Sequence, residues 1–347
     1  HTRSTLQSRG LGDVYKRQIN AHAHNGMTLY RGLVDDMPLE TWLEIMLKAE
    51  NQFVSPDRVK LGARLAYAEM IRGGTTMSVD MYWHPAASAQ AAREAGFRLM
   101  NGPIFVDFKE APDKIPVDQR IERGREFLEE YRDDPLIERC VMPHTTYTVA
   151  PENLKKTQAL ADEFGVFWCT HASETVAEVS TVTDRYGRTP PRHLDHLGML
   201  SDKTVLAHCV HFSDEEVDLL AERGTVAVHC PLSNLTIASG IAPVPRMRQA
   251  GVSVTLGTDG AASGNDLDMW MAMRLAAVVH RGVHGDPTFL PAPEVVHMVT
   301  CDAARALGLG DRVGSLEVGK RADIIVIDLN RPHLVPLYNV YSHLVYA

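Results

Sequence analysis

The chain alternates short β-rich apolar runs with longer stretches in which apolar residues recur at helical spacing. The strand candidates are 19–24, 75–81, 98–106, 140–144, 166–171, 204–208, 225–229 and 253–259, and segments such as 58–71, 121–131, 151–163, 214–222 and 268–279 read as helices. This order is the signature of a parallel sheet built from βα units. Eight of them predict an α/β fold, a closed (β/α)8 TIM-like barrel over 19–310. A glycine-punctuated turn from Gly314 to Asp323 then leads into a nearly unbroken apolar run, 324–329. That pattern predicts a small, incomplete β-sandwich subdomain over 311–347, whose other half should precede the barrel. Residues 1–18 are basic and polar and lack the apolar approach of a buried strand, so they are expected to be a non-native or disordered tail. The last residues, 344–347, read as part of a strand.

Composition narrows the class of partner. With 347 residues, 45% apolar residues and a formal net charge of −9, the chain can bury a large core but does not suit nucleic acid or an anionic membrane. A small molecule is the expected partner, with homo-oligomerisation left open. No apolar run reaches the roughly 18 residues that span a bilayer, and no secretory leader opens the chain, so a cytoplasmic protein is expected. The five cysteines are odd in number and widely spaced, mostly in strand-like runs, which predicts reduced, buried thiols rather than disulfides or a cysteine-based zinc site.

The titratable residues gather at the C-terminal ends of the proposed strands, and in a parallel barrel these ends open on one face. Strand one ends in His22-Ala23-His24, and positions two apart on a strand point the same way. Strand five ends in His171-Ala172-Ser173-Glu174, strand six in His208-Cys209-Val210-His211 and strand eight in Gly257-Thr258-Asp259-Gly260. His22, His24, His171 and Asp259 together offer three imidazoles and a carboxylate, a set suited to Zn2+ or Fe2+ with one position left for water. A second ion would want a bridging lysine after strand four, where the chain instead reads Pro143-His144-Thr145-Thr146-Tyr147, so a single ion is expected.

Several other residues carry two readings. His211, His229, His84 and Trp83 lie near strand ends and suit either a pocket or a structural role. Asp35 and Asp36 read as a solvated loop rather than an acid pair, and the remaining histidines, such as His193 and His280, as surface or packing residues. Met269, Met271 and Met273 read as core.

From residue 19 to 347 the sequence resembles the amidohydrolase superfamily, in the subgroup containing 5'-methylthioadenosine/S-adenosylhomocysteine deaminases. The resemblance rests on Asn20-Ala21-His22-Ala23-His24, Leu29-Tyr30-Arg31-Gly32-Leu33, His171-Ala172-Ser173-Glu174-Thr175, Ala207-His208-Cys209-Val210-His211, Ser233-Asn234, Ala238-Ser239-Gly240-Ile241-Ala242-Pro243-Val244 and Leu256-Gly257-Thr258-Asp259-Gly260-Ala261-Ala262-Ser263. It implies that His22, His24, His171 and Asp259 hold one divalent ion, that Glu174 protonates the ring, and that His208 orients the attacking water. It further implies that Asp259 shuttles that water's proton, and that His144 and Glu50 contact the purine and the ribose. The implied activity is hydrolytic deamination of 5'-methylthioadenosine or S-adenosylhomocysteine. The region after strand three, Gly102-Pro103-Ile104-Phe105-Val106-Asp107, shows no arginine for the carboxylate of the latter. Guanine deaminases and triazine hydrolases are similar over much of the same length and are the alternatives, with an inert metal-binding fragment as a third.

Overall fold

The computed structural model describes residues 13–16, 18–108 and 111–347. Eight parallel strands follow one another in chain order: β1 (Gln18–Ala23), β2 (Thr75–Asp80), β3 (Arg98–Asn101), β4 (Ile137–Pro143), β5 (Phe167–Ala172), β6 (Thr204–His208), β7 (Val226–His229) and β8 (Ser253–Leu256). Each pairs with the next. The cylinder closes where Ala23 bridges Asp259, just beyond β8. At this seam the Asp259 N–H donates to the His22 carbonyl at 3.0 Å. Asn20 donates to Thr258 Oγ1 at 2.7 Å and accepts from the Thr258 N–H at 3.1 Å. Gly257 permits the approach, since a Cβ there would lie 2.8 Å from the His22 carbonyl oxygen.

Side chains alternate between two cores. Met77, Met100, Met142, Cys169, Val205 and Val228 pack together inside the barrel. Their neighbours Leu99, Val141, Trp168, Leu206 and Ala227 point outward and pack in the layer that includes Ala63, Ala66, Tyr67 and Met70 of the helix Pro56–Gly73. Strands covered on both faces read as near-continuous apolar runs, which is why so many were visible in the sequence.

The third unit departs from expectation. The run at 98–106 splits into β3 and a two-residue strand, Ile104–Phe105, and both pair with β4. Gly102 sits at the break, pressed so closely on β4 that a Cβ would lie 1.6 Å from the Cys140 carbonyl oxygen. Among the helices not named from the sequence, Leu39–Phe53 carries an apolar stripe that proves to line the site.

Both chain ends correct the sequence reading. Residues 1–12 and 17 of the proposed tail lie outside the described residues. Asp13–Lys16, however, forms a strand antiparallel to Ile324–Ile327, and Gln18 is already buried in β1. Polarity misled here because an edge ribbon tolerates polar residues that a barrel strand would not. The strand expected at 344–347 is part of a helix, Val340–Tyr346, with Val345 buried in the outer core. A helix of that length has two turns, too few for the sequence to separate 3.6-residue periodicity from alternation. All five cysteines are free, four of them buried, and no helix among the described residues is long and apolar enough to cross a membrane.

Replacing Gly102 by alanine forces β3 off β4. The expected cost is about 3 kcal/mol, the upper end for overpacking, read as a lowered denaturant midpoint. Full retention of stability would contradict this contact.

Candidate active site

The side chains named from the sequence reach the site because the strands end irregularly. In β1, pairing shifts by one residue between Asn20 and Ala23, a β-bulge. Ala21 packs inside the barrel whereas Ala23 packs outside it. The extra residue reverses the alternation and turns His22 and His24 to the centre together. At the ends of β5, β6 and β8 the device is different. Ser173, His208 and Asp259 adopt positive φ of 52°, 71° and 64°, conformations that cost a non-glycine residue about 1–3 kcal/mol each. By simple alternation from the outward Leu206, His208 would point away from the lumen. Its left-handed backbone instead carries the ring to 5.6 Å from His22 and 5.3 Å from His171, centroid to centroid.

His24 Nε2 and His171 Nε2 face each other 3.4 Å apart. Their Nδ1 atoms are engaged by the Met81 carbonyl at 2.5 Å and the His144 carbonyl at 2.8 Å. A carbonyl only accepts, so each Nδ1 carries a proton, and each Nε2 is the atom that offers a lone pair to the common point whenever its ring is neutral. Asp259 Oδ1 lies 3.1 Å from His24 Nε2 and 3.5 Å from His22 Nε2. Beyond that contact His22 Nε2 is buried without a hydrogen-bond partner. His22, His24 and Asp259 form one group with ligand atoms within 4.8 Å of one another, and His22, His171 and His208 form a second. Converging lone pairs, an orphaned nitrogen and a carboxylate fit a divalent cation at their centre.

The electrostatics agree. Burial pulls His22 down to about 4. Burial opposes charge on His24 as well, but the hydrogen bond and charge of Asp259 outweigh it and raise that ring to about 9. Asp259 itself is held well below the usual carboxylate range, burial being overcome by hydrogen bonds from His22 and His24. The pocket thus asks for positive charge, which a proton on His24 supplies when no metal does. Asp259 Oδ2 is pinned from behind by the hydroxyls of Ser233 at 2.6 Å and Ser263 at 2.7 Å. Next to Ser233, Asn234 Oδ1 accepts from His208 Nδ1 at 2.8 Å. One short helix, Pro231–Thr236, therefore orients two site residues.

Above this cluster lies a cavity of about 310 Å³. Its floor holds His24, His171, His208, Asp259, Glu174 and His144. Glu174 Oε2 is 3.8 Å from His208 Nε2. The His144 ring lies 4.8 Å from that of His171 and, half-buried among like rings, is pushed down to about 3 by loss of solvation and by its neighbours' charge, hence neutral at pH 7. The helix Leu39–Phe53 adds Leu39, Trp42, Leu43, Met46, Leu47 and Glu50 to the lining, all along one face. Glu50 is buried and accepts from Tyr82 Oη at 2.6 Å and Trp83 Nε1 at 3.1 Å.

All eight residues named from the sequence therefore meet in or immediately around one cavity. Trp83 joins them, while the other doubtful residues do not. His211 bonds the Ser239 carbonyl, and His84 opens the helix Pro85–Ala95. His229 lies tilted against His280 in the outer layer, ring centroids 5.4 Å apart, and Asp35 accepts from Asn265 in an exposed loop. Met269 and Met273 are core, whereas Met271 is partly exposed. Ser263 closes the motif that follows strand eight, but the sequence assigned it no role; its bond to Asp259 supplies one.

A closed parallel barrel with a His/Asp cation site at the C-terminal mouth defines a metal-dependent hydrolase. The chain belongs to the amidohydrolase family, which matches residues 18–347. It is 46% identical over 329 residues to the 5-methylthioadenosine/S-adenosylhomocysteine deaminase of Syntrophobacter fumaroxidans, covering 95% of this chain and 75% of that one. It is 42% identical over 331 residues to the 5'-deoxyadenosine deaminase of Methanothermobacter thermautotrophicus, covering 95% and 76%. Among solved structures, an adenosine deaminase from Xanthomonas campestris with bound zinc superposes with a TM-score of 0.93 at 40% identity, covering 96% of this chain and 76% of that one.

Zinc added to metal-stripped protein at a hundredfold excess over its dissociation constant should stabilise the fold by about 2.7 kcal/mol, read as a rise in melting temperature. His171→Ala should abolish the rise, and an undiminished rise would remove His171 from the site.

Proposed function

We propose that this chain removes the 6-amino group of 5'-substituted adenine nucleosides, 5'-methylthioadenosine and/or S-adenosylhomocysteine, giving the inosine analogue and ammonia. The observation that carries this reading is the shared cavity. Glu174 and His208 line it beside the cation site, and a buried carboxylate, Glu50, lines it as well. The names of the two relatives described above point to the same substrate class.

His22, His24, His171 and Asp259 would hold a single zinc ion, whose chemistry when bound is to acidify water near neutral pH and so furnish a nucleophile. The protein's own residues account for the rest. Glu174 delivers a proton to N1 of the ring, drawing electron density from C6. His208, fixed by Asn234, hydrogen-bonds the incoming water and sets its approach. Asp259, fixed by Ser233 and Ser263, accepts one proton of the water and returns it to the departing nitrogen, while the remaining hydroxyl proton passes to the Glu174 carboxylate, so that the exocyclic C6–N bond is exchanged for C=O and ammonia leaves. His144, neutral at pH 7, contacts the purine, and Glu50 accepts from the ribose hydroxyls. The apolar wall of Trp42, Leu43, Leu47, Ile104, Val106 and Phe108 suits a thioether at the 5' position.

Glu174→Gln should keep the metal and lower kcat by about 10²–10⁴-fold, the usual worth of a general acid. Turnover near that of the parent would exclude Glu174 as the acid. In an ammonia-release screen, 5'-methylthioadenosine should be deaminated while guanine and triazines are not. Activity confined to the latter would overturn the substrate assignment.

A further inference from the structure

The helix after β5, Val176–Tyr186, begins with Thr175-Val176-Ala177-Glu178, the spacing of a capping box. Half of the box is conventional: the Thr175 side chain accepts from the Glu178 N–H at 3.1 Å. In the other half the third-position carboxylate would ordinarily turn back to the Thr175 N–H. Here it passes that residue and reaches the loop before it. Glu178 Oε1 accepts from the Ser173 N–H at 3.0 Å, and Oε2 accepts from the Glu174 N–H at 2.7 Å. Ser173 has positive φ, so its amide and the next point into one concavity, a ready seat for an anion. The Ser173 carbonyl is tied on its far side by the N–H groups of Val210 at 3.1 Å and His211 at 3.0 Å. The backbone that carries Glu174 is thus clamped between the loop after His208 and one buried carboxylate.

We propose that Glu178 is a positioning residue for the deamination, holding the Glu174 carboxyl at its working place beside His208. Glu178 does not line the cavity and touches no substrate; it acts on the reaction through the backbone of Glu174. Glu178 is only 6% exposed, and its burial as a carboxyl is costly. Burial pushes it up to about 7, against the pull of the two amides. An apolar side chain would fill the same volume at less cost, so packing does not account for a carboxylate here. What a carboxylate adds is two acceptors at the spacing of two successive amides.

The inference rests on Glu174 being the ring acid, and the test separates the two. Glu178→Gln keeps the volume and one acceptor, and removes the buried charge. With 5'-methylthioadenosine as substrate, its kcat should fall about 10- to 100-fold while KM and bound zinc stay near those of the parent. Its melting temperature should be unchanged or higher. Glu178→Ala should lose more in kcat. Added to Glu174→Gln, it should lower the residual rate no further, because two groups acting as one unit are not additive. Parent-like kcat in both Glu178 variants overturns the proposal, as does a loss confined to KM or zinc content. An independent, multiplicative loss in the double variant does the same. Should Glu178→Gln prove inactive because it is unfolded, a structural role is indicated and the proposal fails. If Glu174→Gln is inactive while the Glu178 variants are active, only the clamp is wrong; if Glu174→Gln is active, the assignment of the acid falls first.

Discussion

The molecule depends on the seam at which its first strand meets its last. Asn20 and Thr258 are 238 positions apart, yet they exchange two hydrogen bonds there. One residue further along, the Asp259 N–H donates to the His22 carbonyl. Closing the cylinder at this point places a carboxylate that follows the last strand beside two imidazoles from the end of the first. Loop closure over that length is entropically costly. The cost is met by the whole run of strand pairings that precedes it, so the site exists only in the completed fold.

Around that seam the polar groups form shells. Carbonyls of Met81 and His144 fix the tautomers of His24 and His171, Asn234 fixes His208, and Ser233 and Ser263 fix Asp259. These four inner side chains each have a proton or a lone pair committed by an outer partner, so little reorganisation of them remains when a ligand arrives. The strained backbones of Ser173, His208 and Asp259 belong to the same arrangement. Strand ends that turn abruptly present side chains across the mouth of the barrel, where continued strand geometry would send them along its wall.

Much of this was legible in the sequence because buried parallel strands leave apolar runs, and because the site residues lie where those runs stop. His22, His24, His171 and Asp259 were found that way, and Glu174 and His208 followed from the motifs around them. What stayed hidden was whatever the local pattern does not encode. The bulge in β1 adds a residue without altering the His-x-His spacing. Positive φ was invisible at Ser173, His208 and Asp259 because none is glycine. Ser263 acquires its role only through a tertiary contact, and Glu178 reads as an ordinary helix cap until its carboxylate is seen to reach past the helix. The ribbon of Asp13–Lys16 with Ile324–Ile327 joins two segments that local polarity alone could not connect.

The central claim is that residues from β1, β5 and the end of β8 enclose a single cation that the chemistry requires. Anomalous diffraction from zinc-loaded crystals at the zinc edge tests it directly. One peak within bonding distance of His22, His24, His171 and Asp259 is the expected result. A map with no peak there, or with the zinc held by other residues, would contradict the account.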